Sequence, residues 1–433
     1  MPVLHGMSAL SYYRTPLQVV HARVDPAVFH DGSEEGERLY RLLTRPCPNE
    51  SHATRMVRLR AESDLMGIPL PLELCPTEPS SMRPNGLVIP RRLPRHQDPD
   101  ELISLGGGLM VPSVPQLFLE LARGRSVVEL GLLMMEACGL FAVFHETPQS
   151  RAVLNALRDA EGELERGGRA VYAASSGPYC NACYDESGKR LLFIDAGGES
   201  HSWRQATTST GRRSDMWARP PLTTADELTG YFARCVEREV PVARKALQAA
   251  RLVLDGAASP LEAKFAIMQF APVSLGGDSW PRPFLNRRVS FLPELRKLAG
   301  RSWCSCDELW PDLKVDIELN GVAFHADERG FSLESGRRAA LEAMGYRVLD
   351  VAYEQMDDFE SFETICLSFA DVLGFREAPR TRAFCEQRKE LHRQVMAFRF
   401  WSGVTAGAIT SVRHIRIEGW RNVAVKQGRV DCE

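Results

Sequence analysis

Eight residues, from 313 to 320, constrain the fold of this chain more than any other segment. Apolar and polar side chains alternate there without exception: Leu313, Val315, Ile317 and Leu319 against Lys314, Asp316, Glu318 and Asn320. A period of two predicts a β-strand with one core face and one polar face. A solvated face is the ordinary explanation of such alternation, but Asp and Asn are disfavoured in strands and neighbouring acids repel each other without a counterion.

A hard divalent cation would supply that counterion. Mg²⁺ binds carboxylate oxygens, keeps several waters, and can polarise a phosphate and activate water. The preceding segment CSCDELW predicts the partner strand, with WPDL as the hairpin turn. Asp312 in that turn is about 20 Å along the strand from Glu318, which is too far to share an ion. Asp307 is expected opposite Asp316 and diagonal to Glu318, so Asp307 and Glu318 are the predicted ligands of Mg²⁺ or Mn²⁺.

The segments around the hairpin predict an α/β domain over residues 257–375. LNRRVSFL is a predicted strand, a helix begins at Ser259, a second covers Leu333 to Met344, and YRVLDVA follows Gly345 as a strand. The expected architecture is a mixed central sheet flanked by helices, within a chain whose overall class is α/β of the α+β multidomain type.

Three of these segments together resemble the PD-(D/E)XK nuclease superfamily: ASPLEAKF, CDELWPDLKVDIELNGVAFH and RRAALEAMGYRVLDV. They are more closely similar to proteins related to the very-short-patch-repair endonuclease, from Ala258 to roughly Leu373. SALSYYRTP, GGGLMVPSVPQLFLELA and LDGAASPLEAK are similar to full-length actinobacterial relatives with an AbiE-antitoxin-like layout. The resemblance implies a restriction-endonuclease-like core and metal-dependent DNA cleavage in a repair, mobile-element or defence context.

The resemblance also implies a set of catalytic positions: Glu262, Asp307, Glu318, Asn320, His325 and Arg337. Asp307 and Glu318 fall on the metal-binding acids and Glu262 on the acid of the first helix. Asn320 replaces the superfamily lysine, where close relatives often have Asp; it can orient water but cannot act as a cationic acid or as a base. His325 would be an acid/base or a phosphate contact, and Arg337 a phosphate contact.

Three of these residues have ordinary structural explanations. Glu262 completes a capping box that begins at Ser259. His325 fits a structural histidine near a loop as well as a site residue. Arg337 lies inside the apolar stripe of its helix, so it either extends from the core face towards solvent or points at the acids and the phosphate.

Charge partly opposes the nuclease hypothesis. Residues 256–375 hold twelve Lys/Arg and nineteen Asp/Glu, a net charge of -7, whereas phosphate contacts need local basic groups. One locally basic stretch is the predicted nucleic-acid-binding surface: Arg282, Arg287, Arg288, Arg296, Lys297 and Arg301. The tail from 376 to 433 has twelve basic and six acidic residues, and is either a solvated tail or a binder of single-stranded nucleic acid.

Length and composition bound the rest. At about 150 residues per domain, 433 residues predict about three domains. The predicted parts are an N-terminal α+β recognition or regulatory region (1–145), an insertion or flexible region (146–220), a helical connector (221–256), the nuclease-like domain (257–375) and a basic tail (376–433). A content of 44% hydrophobic and 25% charged residues excludes a mostly disordered chain, and a net charge of -3 excludes a uniformly basic coat.

The start of the chain lacks a basic segment followed by an apolar run, so no signal peptide is expected. The longest apolar stretch, 126–144, is interrupted by Glu129 and Glu136 and predicts a buried helix and no membrane span. Eleven cysteines without a secretory signal favour free thiols in the cytoplasm.

A structural zinc is not expected. The pairs Cys180/Cys183 and Cys304/Cys306 are spaced like metal ligands, but they fall in different predicted elements, and a structural zinc needs four ligands.

Two hypotheses compete with the Mg²⁺-dependent endonuclease. A catalytically inactive nuclease-fold DNA-binding or antitoxin-like regulator is favoured by Asn320 and by the acidity of the domain. A protein-interaction module would bind a protein partner through the long N-terminal region. DNA is the expected partner of the first two, and loss of all nucleic-acid binding would favour the third.

Overall fold

The structure is a computed structural model of mixed α/β character. It describes residues 2–16, 22–24, 68, 71–76, 88–92, 98–106, 109–145, 170–174, 181–185, 191–194, 200–201, 203–207, 213–219, 221–320, 328–400 and 430–432. In several strands and in the first turns of one helix only the backbone is described. Helices and sheets occur together in the described segments, which confirms the α+β class at this coarse level.

The helices are α1 (Gly6–Arg14), α2 (Val114–Leu121), α3 (Val127–Ala137), α4 (Ala225–Glu237), α5 (Ala243–Ala250), α6 (Pro260–Phe270), α7 (Arg296–Ala299), α8 (Glu328–Ala343), α9 (Tyr353–Asp357), α10 (Phe359–Leu373) and α11 (Arg382–Ala397). The strands are β1 (Pro2–Leu4), β2 (Ala22–Val24), β3 (Leu72–Pro76), β4 (Val88–Pro90), β5 (Leu102–Gly106), β6 (Leu109–Pro112), β7 (Phe141–Val143), β8 (Ala170–Ala174), β9 (Asn181–Asp185), β10 (Leu191–Ile194), β11 (Ser200–His201), β12 (Arg204–Thr207), β13 (Arg213–Ala218), β14 (Phe284–Ser290), β15 (Trp303–Trp310), β16 (Val315–Asn320), β17 (Arg347–Ala352) and β18 (Val430–Cys432).

The strands pair into sheets with the orders β4-β3-β1-β6-β5, β11-β10-β9-β8, β12-β13-β7, β14-β15-β16-β17 and β18-β2. The chain divides into two compact units: unit 1 takes 1–121, 143–204 and 401–433, and unit 2 takes 122–142 and 205–400. Unit 2 thus joins α3 and α11 to the segment 257–375, although the sequence analysis placed them in the N-terminal region and the basic tail. Composition shifts along a chain cannot show that distant segments pack together.

In unit 1, a buried ion pair connects the start of α1 to α2. The His5 Nδ1 atom lies 2.7 Å from Glu120 Oε2, and the Glu120 side chain is only 1% exposed. Burial by itself would lower the pKa of His5, but hydrogen bonds to Cys75 and Glu120 and their charges raise that pKa to about 10. His5 is therefore a protonated partner of Glu120 at neutral pH.

The His5 pair predicts a pH-dependent contribution to stability. A pKa raised from 6.5 to about 10 gives a stabilisation that is fully present below pH 6.5 and lost as the pH rises through 10. His5→Gln is expected to lower the free energy of unfolding by about 1–3 kcal/mol at pH 6 and by much less at pH 10.5. Urea unfolding of wild type and variant at both pH values measures this. An equal deficit at the two pH values would contradict the assignment.

In unit 2, the apolar run predicted as one helix up to residue 144 ends earlier. Helix α3 stops at Ala137, and β7 follows after a turn at Gly139. A Cβ atom on Gly139 would lie 2.6 Å from the Ala257 carbonyl oxygen, so the close approach of another segment ends the helix there. Among the described helices, none is long and apolar enough to span a membrane.

The sheet β14-β15-β16-β17 confirms the predicted hairpin and its two flanking strands. Strand β15 is antiparallel to both β14 and β16, while β16 is parallel to β17 and α8 lies between them in the chain. The hairpin turn covers 311–314, one residue later than the predicted WPDL, so Leu313 and Lys314 belong to the turn, and Lys314 takes a left-handed φ of 51°. One buried apolar cluster joins this sheet to α7 and α8: Val289, Phe291, Ala299, Cys304, Cys306, Leu309, Ala340, Leu341 and Val348.

Candidate metal and nucleic-acid site

An irregularity in β14 and β15 sets the position of Asp307. The ladder pairs Leu285 with Glu308 and Arg287 with Cys306 but skips the pair between them. The residue opposite Asp307 at this point is Asn286, which has a left-handed φ of 50°. A left-handed residue inside a strand interrupts the alternation of side chains between the two faces.

Asp307 does not lie where the hairpin register predicted. Leu309, not Asp307, is the partner of Asp316. The Asp307 carboxylate instead accepts a hydrogen bond from the Leu319 backbone N–H at 2.9 Å, beyond the end of the β15–β16 ladder. The prediction centred the turn on WPDL, whereas the observed turn lies one residue later and shifts the β15–β16 register by two residues.

The electrostatics of Asp307 place it among other acids. Burial, followed by the charges of Glu262 and Glu318, raises the pKa of Asp307 to about 8. The Leu319 hydrogen bond and the Arg337 charge act in the opposite direction without cancelling this effect. Asp307 therefore lies near both acids that the sequence analysis assigned to the same site.

Glu318 and Arg337 form a buried, two-pronged ion pair. Arg337 Nη1 donates to Glu318 Oε1 at 2.9 Å, and Nη2 lies 2.6 Å from Oε2. Arg337 Nη1 also donates to the Ser305 carbonyl oxygen at 3.0 Å, and both side chains are about one-tenth exposed. Of the two predicted orientations of Arg337, the structure has the one that points at the acids.

Asp316 is a fully buried carboxylate that faces Glu318 and Cys306. Among the described residues, no donor reaches either of its oxygens in hydrogen-bond geometry. Potential ligand atoms of Asp316, Glu318 and Cys306 all lie within 4.8 Å of one another. Burial, reinforced by the Glu318 carboxylate, raises the pKa of Asp316 to about 10. The sequence analysis placed Asp316 on the polar face of its strand but gave a role to neither Asp316 nor Cys306.

Glu262 lies in the first turn of α6, whose N-cap is Ser259, and also lies near the acids. Its carboxylate accepts hydrogen bonds from the Ala258 N–H at 2.7 Å and the Ser259 hydroxyl at 2.8 Å, and the Glu262 N–H donates to Ser259 Oγ at 3.2 Å. The Asn286 side chain also donates to it. Burial and the charge of Glu318 raise the pKa of Glu262, although these hydrogen bonds act to lower it. Asn286 thus links the cap to the strand irregularity.

Glu308 was not identified from the sequence. It is fully buried, and neither carboxylate oxygen has a hydrogen-bond partner in the part of the chain that the structure describes. Burial, with the charges of Glu262 and Asp307, raises its pKa well above the ordinary value. The signal was present in CDELW, where a second acid directly follows Asp307 in a strand that is otherwise largely apolar.

Asn320 lies away from the buried acids. It is exposed at the end of β16, where its amide donates to Asp350 Oδ1 at 3.3 Å. Asp350 also forms an exposed ion pair with Arg338, which is itself bonded to the Val348 carbonyl oxygen at 2.9 Å. Asn320 is therefore a surface partner of Asp350. His325 lies outside the described residues.

The predicted basic surface is exposed along its whole length: Arg282, Arg287, Arg288, Arg296, Lys297 and Arg301. Strand β14 is an edge of its sheet, and two of its arginines cover exposed aromatic rings. The Arg288 guanidinium lies 4.0 Å from the centre of the Trp303 ring, and Arg287 lies 5.0 Å from that of Phe284. Arg282 differs, since its guanidinium donates to the Arg251 carbonyl oxygen at the surface.

The described part of the chain thus brings Glu262, Asp307, Asp316, Glu318 and Arg337 into one electrostatic cluster, and leaves Asn320 outside it. Carboxylates of this kind can hold a divalent cation. Comparison of the chain with protein-family models, with curated proteins and with solved structures gave no match. The family resemblance remains a prediction from the sequence.

Proposed function

We propose that the chain is a metal-dependent DNA endonuclease that hydrolyses phosphodiester bonds. The observation that carries the proposal is a group of four acids, of which Glu262, Asp316 and Glu318 are buried and Asp307 is half-buried. Arg337 is the cation that is hydrogen-bonded to one of them, Glu318. Buried carboxylates without enough positive charge are costly, and a bound cation removes that cost. The fully buried, unpaired oxygens of Asp316 fit this need.

In this proposal, Asp307 and Glu318 hold Mg²⁺ or Mn²⁺. The ion supplies a Lewis acid for the phosphate and a water with a lowered pKa. Arg337 keeps the Glu318 carboxylate in one orientation through its two parallel hydrogen bonds. Glu262, fixed by the cap of α6, adds negative charge beside Asp307 and so strengthens cation binding.

The substrate side of the proposal rests on the edge strand β14 and the segment that follows it. Exposed arginines there can contact phosphates, and the exposed rings of Phe284 and Trp303 can stack on unpaired bases. The net charge of the surrounding domain is negative, so binding depends on this local surface and is expected to weaken steeply with salt.

A specific observation favours a second candidate, a nuclease-fold DNA-binding regulator without activity. Arg337 occupies both oxygens of Glu318, and Asn320 is bonded to Asp350 and not directed to the acids. Such a protein would bind DNA through the same basic surface and cut nothing.

A cleavage assay with a matched pair of variants tests the proposal. In Mn²⁺ or Mg²⁺, wild type is expected to cut duplex, nicked, mismatched or single-stranded-end DNA. Asp307→Ala is expected to reduce the rate by about 10²–10³-fold, the size of loss found when one electrostatic contact to the transition state is removed. Asp312→Ala is the control, since Asp312 is an exposed acid in the turn of the same hairpin.

The outcomes separate the candidates. No cleavage of any of these DNAs by wild type, with DNA binding that Asp307→Ala leaves unchanged, would reject the endonuclease and select the regulator. Equal loss in Asp307→Ala and Asp312→Ala would also contradict the assigned role of Asp307.

A further inference from the structure

A buried thiol lies beside the two carboxylates of β16. Cys306, Asp316 and Glu318 each offer one possible ligand atom: a sulfur from Cys306 and a carboxylate oxygen from each acid. These three atoms all lie within 4.8 Å of one another. Cys306 and Asp316 are fully buried, and Glu318 is 8% exposed. The Cys304 thiol is hydrogen-bonded to Cys306, so a second sulfur atom adjoins the group.

The unpaired oxygens of Asp316 indicate that this group has a missing partner. A fully buried carboxylate almost always has a hydrogen-bond or ionic partner, because leaving it without one costs several kcal/mol. Among the described residues no donor reaches its oxygens in hydrogen-bond geometry, and the side chains that they face are Glu318 and Cys306, the other two members of this group. The guanidinium of Arg337 is bound to Glu318 and to the Ser305 carbonyl oxygen.

We propose that Cys306, Asp316 and Glu318 bind one divalent metal ion that accepts thiolate ligands, of which Zn²⁺ is the representative. Thiolate ligands select zinc and similar transition metals, whereas Mg²⁺ prefers oxygen alone. Ligand atoms around one tetrahedral zinc ion lie about 3.4–3.8 Å apart, so the three ligand atoms, all within 4.8 Å of one another, need to approach by about 1.4 Å at most. This site is distinct from the Mg²⁺ or Mn²⁺ site of the proposed function, with which it shares Glu318, and its metal binding does not rest on that function.

The ion pair of Glu318 is compatible with a metal. Each carboxylate oxygen has two lone pairs, and Arg337 takes one on each oxygen, so one on each stays available. Arg337 would then orient the ligand in the way that outer partners orient metal-bound carboxylates. Three protein ligands leave a fourth position for water, as in catalytic zinc sites.

Cobalt(II) tests the site through a readout that does not depend on cleavage. Titration of Co²⁺ into the reduced, metal-free full chain is expected to produce a thiolate-to-cobalt charge-transfer band at one equivalent. Zn²⁺ should abolish the band and Mg²⁺ should not. Cys306→Ser should lose it, whereas Asp316→Asn, which keeps the thiol and nearly the same volume, should weaken Co²⁺ binding at least about 10-fold.

Two controls make the result specific. Cys385→Ser changes a thiol of α11 outside the group and should leave the band intact. The Cys180→Ser/Cys183→Ser variant removes the other closely spaced cysteine pair and should also keep the band. Retained far-ultraviolet circular dichroism in Cys306→Ser separates loss of a ligand from loss of the fold.

Absence of the band in wild type, or a band that survives Cys306→Ser, would overturn the site and leave a proton shared between Asp316 and Glu318 as the explanation. Cleavage of DNA in Mg²⁺ without the cobalt band would reject this site while the proposed function stands. A cobalt band that the variants change as expected, together with no DNA cleavage, would support this metal site and reject the proposed function.

Discussion

Arg388→Met is expected to destabilise unit 2 by about 3–5 kcal/mol, one of the two largest stability effects predicted for this chain. Arg388 is fully buried on α11. Its guanidinium lies 2.6 Å from Asp278 Oδ2 and 2.6 Å from Glu363 Oε1, and donates to the carbonyl oxygens of Met268 and Gly276 at 2.8 and 3.1 Å. One side chain thus connects α11 to α10, to the end of α6 and to the loop that follows it.

The cost arises from the groups that Arg388 would leave behind. Asp278 is 3% exposed, and burial raises its pKa although the charges of Arg388 and Arg380 lower it. Without Arg388, the remaining cation near Asp278 is Arg380, whose closest contact to Asp278 is 3.9 Å. A buried carboxylate with its partner removed accounts for most of the expected destabilisation.

Hydrogen exchange of the full chain, followed by mass spectrometry, measures this effect by segment. Amide hydrogens of peptides from α10 and α11 should exchange faster in Arg388→Met than in wild type. The factor should correspond to the loss in the free energy of unfolding. Arg382→Met is the matched control, because Arg382 is on the same helix but almost fully exposed, in an ion pair with Glu386. Its exchange should equal that of wild type. Equal protection in both variants would contradict a structural role for Arg388.

Arg337→Met is expected to destabilise the β14–β17 domain by about 3–5 kcal/mol in metal-free protein. The substitution removes the cation that holds both oxygens of Glu318 and leaves that carboxylate beside Asp316 and Asp307. Repulsion among these buried acids should add to the cost of the broken pair. Urea unfolding in the presence of a metal chelator gives the free energy.

A double-mutant cycle separates the ion pair from loss of packing. Glu318→Gln removes the charge that Arg337 neutralises, so the Arg337→Met/Glu318→Gln variant should regain a large part of the lost stability. Arg338→Met is the control on the neighbouring residue of α8, because its ion pairs with Glu342 and Asp350 are at the surface. Additive effects of the two site substitutions would show that Arg337 acts through packing and not through Glu318.

Regular local patterns in the sequence were enough to predict the elements around the site. The alternation at 313–320 predicted β16, WPDL predicted the turn, and the Gly after Met344 marked the end of α8. The capping box at Ser259 predicted the start of α6, with Glu262 in the position observed. Each of these features depends on neighbours within a few residues, where backbone geometry imposes a period or a cap.

The positions of side chains were harder to predict. Asp307 was expected opposite Asp316, but the hairpin turn lies one residue later than WPDL, and Asp307 accepts a hydrogen bond from the Leu319 amide instead. Arg388 occupies an apolar stripe with Phe384, Leu391 and Val395, all buried. The same kind of signal identified Arg337, yet in the segment of Arg388 the basic composition favoured a solvated tail.

The sequence by itself determined the strands and helices of the domain, the hairpin at its centre, and the acids that face one side of β16. Only the tertiary structure decided that Arg337 binds Glu318, that Cys306 joins Asp316, that Asn320 turns to Asp350, and that Arg388 is buried. Secondary structure follows from interactions between residues close in the chain. Which charges meet depends on how β14, β15 and the helices pack, and those contacts join residues far apart in sequence, for which no local period exists.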